Sequence, residues 1–205
     1  MAQTTRQDLV QAYFSGQASA YDENPRRPLW SWLRRREAHA VMSMLGDVQG
    51  VNALDLGCGA GFYSRLLLTH DAANVTAVDN CPDMISALPE DARLTPINCD
   101  AGELPAVGPF DRIVSAGLLE FVEVPETVVA AARRTIAADG VLVLLLPMRN
   151  LAGHVYARWH AGHSVVAKLF NDDDIAKLAG ATAWRVDGAT FVWPFSLVVR
   201  LTPAS

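Results

Sequence analysis

Eleven residues constrain this chain more than any other stretch: Val51-Asn52-Ala53-Leu54-Asp55-Leu56-Gly57-Cys58-Gly59-Ala60-Gly61. An apolar run that reads as a buried parallel strand ends in an acid and then in three glycines at alternate positions. Such a loop suits a strand that turns sharply while its backbone approaches a ligand with no side chain in between. Gly57, Gly59 and Gly61 can take positive φ and leave that room. The helix expected next presents unpaired N–H groups toward the same space. The pattern is G-x-G-x-G, one residue shorter than G-x-G-x-x-G, and the place of the last glycine sets the type of turn. On its own the loop also fits a tight strand-to-helix turn that binds nothing.

The segments that follow narrow the choice. Asn74-Val75-Thr76-Ala77-Val78-Asp79 reads as a second strand ending in an acid, 24 positions after Asp55. In nucleotide-binding α/β units an acid at this place accepts hydrogen bonds from ribose hydroxyls. Asn80-Cys81-Pro82-Asp83-Met84-Ile85 then turns into a helix. A third short strand, residues 93–99, delivers Asp100-Ala101, and a fourth, Phe110–Ala116, leads into Gly117-Leu118-Leu119-Glu120-Phe121-Val122.

In that order, D-L-G-C-G-A-G, V-D-N-C-P-D-M-I, C-D-A and F-D-R-I-V-S-A-G-L-L-E-F-V resemble the motif set of the class I S-adenosylmethionine-dependent methyltransferases of small-molecule type. The motifs span roughly residues 50 to 147, about half the chain. The resemblance implies a Rossmann-like, seven-stranded, mostly parallel sheet flanked by helices, with an antiparallel C-terminal strand. It implies S-adenosyl-L-methionine as cofactor and O- or N-methylation of a small metabolite. It also assigns residues. Gly57, Cys58, Gly59 and Gly61 would pass under the methionine and ribose portion, with Asp55 positioning the amino end. Asp79 would take both ribose hydroxyls. Met84 would pack on the adenine with Asn80 or Cys81 beside it. Asp100 would accept from the adenine amino group, and the Ala101 N–H would donate to the ring. Ser115 and Ala116 would line the methionine end.

The chemistry of adenosine agrees, because a flat apolar ring with a donor edge suits a Met face and a carboxylate. Taken singly, Met84 fits ordinary core packing and Asp100 a helix N-cap. A nicotinamide-dependent oxidoreductase would want its third glycine at position 62, which is Phe62. A protein that binds the cofactor without transferring from it remains the alternative to an enzyme.

Composition fits one domain of 205 residues, subdivided as an N-terminal helical lid (1–49), the cofactor-binding core (50–147), a cap insertion (148–170) and a closing C-terminal part (171–205). The longest apolar run, Gly140–Pro147, is too short to span a membrane and reads as a strand buried on both faces. Met1–Arg6 shows no secretory leader, and the three cysteines form neither a disulfide framework nor a metal spacing, so a reducing cytoplasm is expected and no metal. A net charge of −5 argues against a nucleic-acid partner. Oligomeric state is not legible.

Outside the motifs, Arg26 to Glu37 places five arginines beside two tryptophans. Leu29, Trp30, Leu33 and Glu37 keep helical spacing, so the stretch reads as a solvated helix docked by its tryptophans, or as a lid for an acidic or aromatic substrate. Residues 13–22 resemble the segment that precedes the core in related methyltransferases, where an aromatic placed like Tyr21 folds over the cofactor. Glu126–Ala138 reads as a helix with Gly140 as a left-handed C-terminal cap. Another helix is expected from Asp172 to Leu178, then an antiparallel pair, 183–192 and 195–201, in which Phe191, Trp193 and Phe195 pack the sheet.

Proton-transfer candidates cluster in two places. Residues 149–163 hold three histidines and two aromatics, and on a helix His160 and His163 share a face. Neutral imidazole near pH 7 suits a general base. Where related enzymes carry a histidine after the fourth strand this chain has Phe121, which leaves Glu120, Tyr156, His160 and His163 as candidates. Structural histidines are the alternative reading.

Overall fold

A computed structural model describes Tyr13, residues 28–162 and residues 165–204. The chain enters on α1 (Pro28–Leu45), then β1 (Asn52–Leu56), α2 (Phe62–Thr69), β2 (Asn74–Asp79), α3 (Pro82–Ser86), β3 (Leu94–Asn98) and β4 (Phe110–Ala116). It continues through α4 (Pro125–Thr135), β5 (Ile136–Pro147), α5 (Leu151–Ala161), α6 (Asp172–Ala181), β6 (Trp184–Val192) and β7 (Ser196–Pro203). The seven strands form one sheet in the order β3-β2-β1-β4-β5-β7-β6. Strands β1 to β5 pair in parallel, and β7 runs antiparallel to both neighbours, β5 and β6. The expected sheet is present.

Side-chain alternation explains why helices cover both faces. Ala53, Val75, Val114, Val141, Val143 and Val198 point to one side, where Leu33, Val41 and Leu45 of α1 and Leu67 of α2 cover them. Leu54, Leu56, Ile113, Leu142, Leu144 and Leu201 point to the other, against Val128 and Val129 of α4 and Ile175 and Leu178 of α6. Each fully buried leucine here contributes about 1.5–3 kcal/mol of burial free energy. From Gly140 on, strand β5 lies between two neighbours with both faces covered, hence the unbroken apolar run Gly140–Pro147. Trp184 locks α4 to the sheet edge by donating from Nε1 to the Val129 carbonyl at 3.1 Å. Helix α6 starts on a reciprocal cap between Asn171 and Asp174 and runs to Ala181, three residues past the expected end.

Two expectations are corrected. Helix α4 stops at Thr135, and residues 136–140 already belong to β5. Gly140 is not among the residues with positive φ and is no helix cap. It is small because a Cβ there would sit 2.6 Å from Ile136 Cγ1 and 3.0 Å from the Phe110 carbonyl, beside the irregular β4–β5 register. Phe191 and Trp193 do not pack the sheet: they are 48% and 58% exposed, and Trp193 meets Trp32 of α1 edge-on at 6.2 Å. Among the described residues, no helix is long and apolar enough to cross a membrane.

Candidate cofactor and acceptor site

The chain leaves β1 outward to β2 and β3, then returns to β4 on the other side of β1. Loops after β1 and β4 therefore diverge and open a crevice at the C-terminal ends of the strands. A cavity lies there. Its floor is the loop Gly57-Cys58-Gly59, and its walls come from Asp79 and Met84 on one side and Ala116 and Gly117 on the other.

Each glycine of the loop has positive φ, at 77°, 51° and 83°. Their surroundings differ. A Cβ on Gly57 would lie 2.8 Å from Leu118 Cβ, and one on Gly61 would lie 2.6 Å from Leu88 Cδ2. A Cβ on Gly59 meets nothing within 4 Å, so only Gly59 faces open cleft. The loop is held down by Gly57 N–H and Cys58 N–H, both donating to the Val78 carbonyl at 2.8 and 2.9 Å. Cys58 and Cys81 are buried thiols, and all three cysteines are unbridged.

Asp79 closes the second strand as the sequence indicates. Its Oδ2 accepts from Gly59 N–H and its Oδ1 from Cys81 N–H, each at 2.9 Å. Burial raises its pKa above the usual carboxylate range, while these backbone donors pull it down. The carboxylate thus ties the glycine loop to the start of α3 while standing in the cavity wall. Asn80, Cys81, Met84, Asp100 and Ala101 line the same end. Met84 is held against Ala60 and Cys81. Asp100 Oδ1 accepts from Gly102 N–H at 2.8 Å, which fixes the carboxyl at the strand end.

Not every assigned residue reaches the cavity. Asp55 and Ser115 are each buried behind it, and Gly61 serves the turn as the residue before α2. Asp55 accepts from Ser64 Oγ at 2.7 Å, and burial pushes its pKa up to about 6 despite that bond. Ser115 Oγ has no hydrogen-bond partner among the described residues. Tyr21 lies outside the described residues.

The far end of the cavity is built largely from residues outside the cofactor motifs, two of them in the arginine-rich stretch that the sequence offers as a lid. Arg34 and Glu37, one turn apart on α1, line it together with Phe62, Tyr63, Phe121 and Leu145. The Arg34 guanidinium sits 5.2 Å from the Phe62 ring centre. Glu37 accepts a hydrogen bond from Ser196 Oγ at the start of β7. The sequence placed Glu37 in the helical spacing of Leu29, Trp30 and Leu33 without singling it out, although an acid in that series needs something to receive it. Behind this wall Glu120 is 2% exposed, and burial pushes its pKa up to about 7 with the nearby Glu37 charge adding to the effect. Tyr156 donates its hydroxyl to Glu120 Oε1 at 3.4 Å. Glu120 Oε2 has no partner among the described residues.

The histidines fare differently. His160 is buried among the rings of Tyr13, Phe121, Tyr156 and Trp159, at 4.5 to 5.8 Å between centres, and does not line the cavity. Helix α5 ends at Ala161, and His163 lies outside the described residues. Among the described residues, no group of three or more His, Cys, Asp or Glu is placed to hold a metal ion.

Comparison with known proteins agrees with this geometry. Residues 54–144 match the family described as a methyltransferase domain. The ubiquinone biosynthesis O-methyltransferase of Xylella fastidiosa (strain M23) is 32% identical over 120 residues, covering 54% of this chain and 48% of that protein. The chloroplastic 2-methyl-6-phytyl-1,4-hydroquinone methyltransferase 1 of Oryza sativa subsp. japonica is 33% identical over 104 residues, covering 48% of this chain and 32% of that protein. The chain spans about half, or less, of the length of these two curated relatives. The crystal structure of magnesium protoporphyrin IX methyltransferase from Synechocystis PCC 6803 with bound S-adenosylmethionine superposes over all of both chains at TM-score 0.76 and 16% identity, which establishes the shared fold. Residues 54–144 thus resemble a methyltransferase domain, and the fold is shared with a methyltransferase that holds S-adenosylmethionine. The cavity suits that cofactor: Gly59 leaves the floor open, Asp79 supplies carboxylate acceptors, and Met84 supplies a soft apolar face.

Proposed function

We propose that this protein transfers a methyl group from S-adenosyl-L-methionine to oxygen or nitrogen of a small-molecule acceptor. The observation that carries the reading is the Asp79 carboxylate, braced by Gly59 N–H and Cys81 N–H in the wall of a cavity whose floor is open glycine backbone. Asp79 binds the ribose hydroxyls, Met84 packs on the adenine beside Asn80 and Cys81, and Asp100 with the Ala101 N–H reads its edge. Gly57, Cys58 and Gly59 pass beneath the ribose and methionine. Asp55, Ser115 and Ala116 hold the methionine end, the first two from behind the wall.

When bound, the cofactor supplies a methyl group on a sulfonium that leaves as a neutral thioether. The chain's own work is therefore orientation and water exclusion, together with removal of a proton where the acceptor needs it. The aromatic wall of Phe62, Tyr63 and Phe121 favours a flat acceptor. The names of the relatives point the same way, toward quinone-type compounds. Among the described residues, Glu120, Tyr156 and His160 are the candidates for proton transfer near that end.

The test is a labelled-methyl assay with phenol, amine and carboxylate acceptors. Incorporation into at least one small acceptor is the expected result. Binding of S-adenosylhomocysteine with no incorporation into any of them would establish a cofactor-binding protein without transferase activity.

A further inference from the structure

We propose that Glu37 receives the proton of a hydroxyl acceptor, so that the far end of the cavity is a site for a hydroxylated aromatic ring with Glu120 as the carboxylate behind it. This rests on the methyl-transfer reading and deepens it by naming the acceptor chemistry.

Three observations carry the inference. Glu37 reaches the cavity wall from α1 and is fixed there by Ser196 of β7, itself only 2% exposed, so its position is set by tertiary packing. Glu120 is equally buried, feels the charge of Glu37, and keeps one oxygen without a partner among the described residues. Gly117 lines the cavity, and a Cβ on it would lie 3.9 Å from Glu120 Oε1. The third observation is the company these acids keep, because Phe62, Tyr63 and Phe121 supply flat apolar surface in the same cavity lining, with Phe62 under the Arg34 guanidinium.

Two neighbouring carboxyls in an apolar wall are costly unless protons, cations or donors compensate them. Arg34, one turn before Glu37, compensates in part. The remaining demand is for a donor, and an acceptor hydroxyl is one. A neutral amine is already nucleophilic and needs no such base, whereas a phenol does. In the transfer the acceptor oxygen forms its bond to the methyl carbon while the carbon–sulfur bond breaks with its electron pair going to sulfur. The hydroxyl proton goes to Glu37, and the sulfonium charge is cancelled by the same step. Nothing further is consumed.

The test uses the full chain loaded with S-adenosylhomocysteine and titrated with catechol, with aniline in parallel, followed by ligand-observed NMR. Catechol is expected to bind more tightly than aniline. Glu37→Gln is expected to weaken catechol roughly 10- to 100-fold, the range for a lost hydrogen bond to a charged group, while S-adenosylhomocysteine affinity stays within about twofold. Glu37→Asp carries the same comparison if the Gln variant does not fold. Catechol binding unchanged in both variants would overturn the proposal, as would wild type that binds no catechol. A tenfold fall in S-adenosylhomocysteine affinity would instead assign Glu37 to the donor end. In each of these cases, intact S-adenosylhomocysteine binding by wild type leaves the methyl-transfer reading standing.

Discussion

Asp79→Ala is expected to lower affinity for S-adenosylhomocysteine by at least about 100-fold. Hydrogen bonds to a charged group contribute about 1.5–3 kcal/mol each. Loss of the two proposed ribose hydroxyl contacts therefore amounts to roughly 3–6 kcal/mol, at about 1.4 kcal/mol per tenfold. The substitution also removes the acceptor shared by Gly59 N–H and Cys81 N–H, so the loop that forms the floor loses its tie to α3. Asp79→Asn keeps one acceptor oxygen and should fall between the two. Calorimetry measures both. An affinity within about threefold of wild type for Asp79→Ala would remove this residue from the cofactor site.

Asp55→Asn is expected to stabilise the fold at pH 8 and to leave it nearly unchanged at pH 4. Burial raises the Asp55 pKa from 3.8 to about 6 in the folded chain. Between those values the folded state binds more protons than the unfolded one, so stability is greatest below about pH 4 and is lost as pH rises through about 6. A shift of about two units corresponds to about 3 kcal/mol. Asparagine keeps an oxygen for the Ser64 hydroxyl and carries no charge, so up to about 3 kcal/mol returns at pH 8. Urea denaturation of both proteins at the two pH values measures the difference. Equal effects at both, or destabilisation at pH 8, would contradict the account. A loss of cofactor affinity in the stabilised variant would mark Asp55 as a charge kept for function against stability.

Most of the cavity end proposed to hold the cofactor is lined by residues that the sequence singles out, because its determinants are local. A glycine that must take positive φ, an acid at a strand end and a Met at the start of the next helix each declare themselves within a few residues. The sheet was legible for a related reason, since β5 is apolar along its whole covered length. The other end was not, because its chemistry is assembled across the chain. Glu37 matters through Ser196, 159 positions away, and Glu120 through Tyr156, 36 positions away. Gly140 was misread for the same reason: its neighbour is the Phe110 carbonyl on the adjacent strand, and no local pattern distinguishes that from a helix cap. His160, singled out for its chemistry, is placed by its ring contacts in an aromatic cluster beside the cavity.

The cavity's identity as an S-adenosylmethionine site is tested most directly by titrating the full chain with S-adenosylhomocysteine and, separately, with NAD. Saturable binding of S-adenosylhomocysteine at one site per chain, with no heat from NAD, is the predicted result. Binding of NAD in preference, or of neither, would contradict it.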